Sequence, residues 1–136
     1  MALLVDTSVF VECERSGREA SDEIARLFGE ADALAAITAA ELLVGVLFAT
    51  PGSRREARRS LVEAVLARTP VIRFDLAMAR VHAQLTADLR RAGRPIGTHD
   101  IQIAATAIVG RHTVLTANVR DFDRIPGLSV RRWPVQ

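Results

Sequence analysis

The chain has 136 residues, 49% of them hydrophobic and 25% charged, with a formal net charge of +2. That size and balance fit one folded domain with its own core and exclude a disordered chain. The single cysteine, Cys13, excludes an internal disulfide or a CxxC site and is expected as a small buried hydrophobe.

All 18 basic residues are Arg, and neither Lys nor Tyr occurs. P-loop NTPases, Schiff-base enzymes and PLP enzymes all need a Lys, so these classes are out. The pI of 9.8 overstates the basicity, because without Lys or Tyr almost nothing titrates until the pH is very high. No apolar run approaches the ~20 residues of a membrane span. The start, MALLVDTSVF, meets Asp6 with no basic segment before it. No membrane association and no secretory leader are expected, and the expected location is cytoplasmic.

The first element is a buried strand over 2–5, as in a parallel sheet. Residues 7–15 read as a short helix, and 21–30 as a second, with Ile24, Leu27 and Phe28 at helical spacing. A strand is predicted over 34–37. Thr38 is then expected to open a helix with Leu42, Leu43, Val46 and Leu47 on one side, ended by Pro51-Gly52. Ser53, with Glu56 three residues on, has the pattern of a capping box for the next helix.

Val71 to Phe74 is a predicted strand, and Asp75 is expected to cap a long helix stopped by Gly93 and Pro95. Thr98 is expected to cap another helix. A strand over 113–116 follows, and an edge strand over 130–133 that Trp133 anchors. Strands and helices alternate throughout, which predicts an α/β fold with a mostly parallel central sheet and helices on both faces.

In such sheets ligands bind beyond the carboxyl ends of the strands. Asp6 follows the first strand, Glu41 lies a turn past the second, Asp100 sits in the helix before the fourth, and Asp121 lies after the fourth. Each acid alone also fits a structural role. Thr38-x-x-Glu41 matches a capping box, Asp100 could serve a helix dipole, and Asp121 and Asp123 could make turn bonds. Together they imply more. Two unit charges about 4 Å apart repel by about 4 kcal/mol at an effective dielectric of ~20, so four gathered acids call for a cation or retained protons. An all-oxygen donor set suits Mg²⁺ or Mn²⁺, and the matching chemistry is metal-dependent phosphoryl transfer.

Three blocks of residues carry a family resemblance: Leu4-Val5-Asp6-Thr7-Ser8; Ile37-Thr38-Ala39-Ala40-Glu41-Leu42 with Gly45; and Asp100 through Ile103-Ala104-Ala105-Thr106-Ala107 to Thr116-x-Asn118-x-x-Asp121-Phe122. In this order and spacing the chain resembles the PIN-domain ribonucleases, specifically the VapC toxins of toxin–antitoxin pairs. The resemblance implies a three-layer α/β/α PIN domain spanning 1–136, and a Mg²⁺-dependent endoribonuclease in which Mn²⁺ can substitute. It implies that Asp6 and Asp100 are metal ligands, with Glu41 and Asp121 completing the acidic set. Asp123 competes with Asp121 for the fourth place. Thr7, Thr116 and Asn118 resemble residues that orient ligands or water. A water attack leaving a 5′-phosphate and a 3′-hydroxyl, a cognate antitoxin, an RNA substrate and a homodimer are also implied.

Arg54, Arg55, Arg58 and Arg59 share helical spacing and are candidate RNA or antitoxin contacts; a solvated face is the alternative. Arg90, Arg91 and Arg94 complement a helix C-terminus. His82, His99 and His112 lack zinc spacing, and His99 is read as a bystander. The Phe residues are read as core. Three other functions compete. A signalling receiver would need a Lys that is missing. A catalytically weak PIN domain would serve as an RNA- or protein-binding module. A metal-free ribonuclease would use His pairs and survive EDTA.

Overall fold

A computed structural model describes residues 2–15 and 33–133. The helix expected over 21–30 lies outside the described residues. The described elements are β1 (Leu3–Val5), α1 (Thr7–Arg15), β2 (Leu34–Ala35), α2 (Ala36–Phe48), α3 (Ser53–Arg68), β3 (Val71–Ile72), α4 (Leu76–Arg91), α5 (Thr98–Gly110), β4 (Thr113–Thr116), α6 (Val119–Phe122) and β5 (Ser129–Arg132).

Every strand pairing is parallel. β1, β4 and β5 form one ribbon and β2 and β3 another, and a parallel bridge between Leu4 and Ala33 joins them. The resulting order is β3-β2-β1-β4-β5, so all strand carboxyl ends share one edge. β1, β2 and β4 are buried along their length because they carry side chains into both faces. Leu3, Val5, Leu34 and Leu115 pack on one face with Val9, Phe10 and Cys13 of α1, Leu42 and Val46 of α2, and Val62 and Val65 of α3. Leu4, Ala33, Ala35 and Val114 point the other way, onto Leu85 and Leu89 of α4, Ile101, Ile103 and Ala104 of α5, and Phe122. These are the three layers that the alternation of strands and helices predicts.

Several local expectations change. α2 begins at Ala36, so Ile37 is helical and Thr38 is not a cap; the N-cap, Ala35, makes no side-chain bond. Thr38 is instead fully buried with its hydroxyl unbonded among the described residues. Ser53 is likewise not a cap, since Gly52, at φ 107°, holds that position. Glu56 pairs with Arg59 at 3.5 Å rather than closing a capping box. Gly97, not Thr98, precedes α5. β3 stops at Ile72 because its partner β2 is only two residues long and leaves nothing for Arg73 and Phe74 to pair with. Asp75 does cap α4, accepting from the Met78 N–H at 2.9 Å.

Of the expected face of α2, only Leu42 and Val46 are buried, while Leu43, Val44, Leu47 and Phe48 are exposed. Phe10 and Phe122 are core as expected. Phe48 and Phe74 are not, because they lie at the end of α2 and beyond the end of β3. The backbone N–H of Trp133 donates to the Thr116 carbonyl at 2.9 Å, and the Trp133 ring packs on the first core, anchoring β5 at the sheet edge.

Candidate active site

The carboxyl edge of the sheet gathers residues far apart in sequence. Asp6 leaves β1, whose register continues across β4, and its backbone N–H donates to the Leu115 carbonyl at 2.9 Å. This places Asp6 beside Thr116, the last residue of β4. Asp6 is only 4% exposed. A buried carboxylate needs donors, and two hydroxyls supply them: Ser8 Oγ at 2.6 Å and Thr116 Oγ1 at 2.8 Å, both on Oδ2. The Ala117 N–H donates to Ser8 Oγ at 3.0 Å, and the Asn118 N–H to Thr116 Oγ1 at 2.9 Å. The start of α1 and the end of β4 are thus clamped around one carboxylate.

Glu41 projects from the second turn of α2. Its Oε1 accepts from Thr7 Oγ1 at 3.2 Å, and its Oε2 lies 3.7 Å from His99 Nδ1. Its carboxylate is therefore aimed at α1 and α5, not at its own helix terminus. Asp121, in α6, accepts from Asn118 Nδ2 at 3.0 Å. Asp100, in the first turn of α5, has its carboxyl pushed up from 3.8 to about 6. Burial is the largest cause, followed by repulsion from Asp6, Asp121 and Glu41, while His99 pulls the other way. Asp100 therefore senses the other three acids. Asp123, exposed beyond α6, is not among the charges acting on Asp100, whereas Asp121 is.

Two residues exceed the sequence reading. Ser8 is not among the sequence candidates, yet it binds Asp6 and the Ala117 backbone; the adjacent Asp6-Thr7-Ser8 run was its only signal. His99, read as a bystander, faces Glu41. The Arg set of α3 divides. Arg55 donates to the Leu47 and Ala49 carbonyls at 2.9–3.2 Å, and Arg58 to Gly45 at 3.2 Å, so both hold the C-terminal end of α2. Arg59 pairs with Glu56, and Arg54 is exposed.

Among the described residues, no three His, Cys, Asp or Glu side chains are gathered closely enough to hold an ion by themselves. That does not conflict with the donor chemistry. Mg²⁺ keeps several waters and is commonly held by one or two carboxylates together with substrate phosphates. An acid raised to about 6 by burial and by the charges of three other carboxylates, as Asp100 is, suits an edge that takes up such a cation.

A family model described as PIN domain matches residues 3–128. The chain belongs to the PIN-domain family. Within it, the chain groups with the VapC proteins. Ribonuclease VapC1 of Rickettsia felis is 35% identical over 130 residues, covering 96% of this chain and 95% of that one. The tRNA(fMet)-specific endonuclease VapC of Salmonella typhimurium is 34% identical over 100 residues, 74% of each chain. The fold also matches the solved structure of DNA-bound VapBC from Salmonella typhimurium, with a TM-score of 0.82, 28% identity and 98% of both chains covered. The three-layer arrangement described above is thus the PIN-domain fold.

Proposed function

We propose that this chain is a single PIN domain acting as the toxin of a toxin–antitoxin pair, a divalent-cation-dependent endoribonuclease. The observation that carries the reading is the convergence of Asp6, Glu41, Asp100 and Asp121 on one edge of the sheet, expressed in the raised pKa of Asp100. Asp6 and Asp100 would hold the cation, with Glu41 and Asp121 acting on it or on its waters. Mg²⁺ is the proposed ion and Mn²⁺ a substitute. When bound, it would neutralise phosphate oxygens and lower the pKa of an attacking water.

The chain's own residues prepare that edge. Ser8 and Thr116 fix the rotamer of Asp6, Thr7 fixes Glu41, and Asn118 fixes Asp121. These donors bind Oδ2 of Asp6, Oε1 of Glu41 and Oδ2 of Asp121, while Oε2 of Glu41 lies near His99. Asp100 has no such donor among the described hydrogen bonds, and it is the acid most exposed to its neighbours' repulsion. It must lose its proton for the edge to reach full negative charge. Hydrolysis would leave a 5′-phosphate and a 3′-hydroxyl.

A protein partner is supported by the exposed apolar residues Leu43, Val44, Leu47 and Phe48 on α2, with Phe48 86% exposed. The solved relatives named VapBC are toxin–antitoxin complexes, and a cognate antitoxin and a homodimer are proposed here on that similarity. Transfer RNA is the first substrate class to try, since one relative is named for it.

The test is cleavage of a labelled transfer-RNA pool by the antitoxin-free protein. Cutting that requires Mg²⁺ or Mn²⁺, stops in EDTA and leaves 5′-phosphates supports the reading. Cutting that survives EDTA and leaves cyclic phosphates would replace it with a His-based ribonuclease. RNA binding without cutting under any cation would leave a binding module.

A further inference from the structure

A nuclease built on four carboxylates must admit a polyanion to the place where its own charge most repels one. On the β5 side of the edge the register supplies an opposite charge. Thr116 of β4 pairs with Arg132 of β5, and Leu115 pairs with Arg131. Register partners in a parallel sheet project to the same face, and successive residues alternate. Arg132 therefore lies on the face of Thr116, whose hydroxyl binds Asp6 at 2.8 Å. Arg131 lies on the opposite face with Leu115.

Strand spacing of about 5 Å sets the backbone of Arg132 about 10 Å from that of Asp6, two strands away. α6, which carries Asp121, packs against β5. Yet among the described residues Arg132 forms no ion pair with any of the four acids, and its side chain is exposed. The end of β5 thus offers a guanidinium not paired with any of the four acids. Its planar donor fork matches the oxygens of a phosphodiester.

We propose that Arg132 is a positioning residue that holds an RNA backbone phosphate on the β5 side of the acidic edge, offsetting the repulsion between carboxylates and substrate. The proposal rests on the ribonuclease reading above and adds to it one residue and one side of approach. Arg131 is its internal control: the same residue type, one position away, also exposed and on the other face.

The experiment compares wild type, Arg132→Ala, Arg132→Lys and Arg131→Ala, all antitoxin-free. Binding of a fluorescent single-stranded RNA is followed by anisotropy over a range of salt, and cleavage by its KM and kcat. For Arg132→Ala the expected result is a KM raised about tenfold with kcat within about twofold, as for lost ground-state binding. The dependence of log affinity on log salt should become shallower by about 0.7, the value of one phosphate contact on a single strand. Arg132→Lys should keep the salt slope, and Arg131→Ala should match wild type.

Equal parameters for Arg132→Ala, Arg131→Ala and a cleaving wild type would overturn the proposal and leave the ribonuclease reading intact. Equal losses in the two Ala variants would also overturn it, because a general charge effect has no face. A wild type that neither binds nor cuts RNA would overturn the ribonuclease reading and this proposal with it.

Discussion

Asp75 and Asp100 are both carboxylates at the start of a helix, where the positive end of the helix dipole favours an anion. Asp75 occupies the N-cap of α4 and its Oδ1 accepts the Met78 N–H at 2.9 Å. Asp100 lies in the first turn of α5, whose N-cap is Gly97 with no side-chain bond. Its carboxyl is pushed up to about 6 by burial and by Asp6, Asp121 and Glu41, despite the dipole. At one helix start the charge serves the fold; at the other, its surroundings oppose the ionised form. The difference lies in what the topology delivers to each place. α4 begins beyond an outer strand, β3, whereas α5 presents Asp100 to the carboxyl ends of the central strands β1 and β4.

Exchanging the two carboxylates for neutral groups should separate their roles. Asp100→Asn is expected to lower RNA cleavage by more than about a hundredfold while leaving the melting temperature unchanged or higher, as read by calorimetry beside an activity assay. Wild-type turnover in this variant would remove Asp100 from the site. Asp75→Ala should do the reverse, costing about 1 kcal/mol of stability by denaturant titration with specific activity retained.

The pH dependence of stability sharpens the same contrast. Between pH 3.8 and about 6 native Asp100 holds a proton that the unfolded chain has released. Its contribution is therefore fully present below pH 3.8 and is lost as the pH rises through about 6. Denaturant midpoints in EDTA should show this decline in wild type and not in Asp100→Asn. Parallel curves would show that Asp100 is not the perturbed group. Smaller effects are expected around it. Thr7→Val removes the 3.2 Å bond to Glu41 and should lower activity about tenfold with little change in stability. Asp123→Asn should change neither, in contrast to Asp121→Asn.

The acids themselves were legible in the sequence because a parallel sheet puts strand ends together, and Asp6, Asp100 and Asp121 all lie near the two central strands. Glu41 was ambiguous, since Thr38-x-x-Glu41 is also the spelling of a capping box. The structure separates the readings by starting α2 two residues earlier, which buries Thr38 and turns Glu41 toward Thr7 and His99. That shift depends on β2 ending at Ala35, a pairing limit that local pattern does not contain. The Arg run of α3 has a further role that local pattern does not contain. Its spacing gives one shared helix face, and α2 returns its carbonyl end to Arg55 and Arg58 of that run, a contact between helices. Ser8 depends on a contact with Thr116, 108 residues away, and Arg132 on the register of β5 against β4, neither of which the sequence states before the pairing is known.

The central claim is that Asp6, Glu41, Asp100 and Asp121 form one cation-binding edge. The most direct test is the melting temperature of the antitoxin-free protein in EDTA and then in rising Mg²⁺ or Mn²⁺, for wild type and Asp100→Asn. A cation bound to the native state at about 100 times its Kd stabilises it by about 2.7 kcal/mol. The account predicts a cation-dependent rise in wild type that is lost in Asp100→Asn. The same rise in both proteins, or none in wild type at cation concentrations that support RNA cleavage, would contradict it.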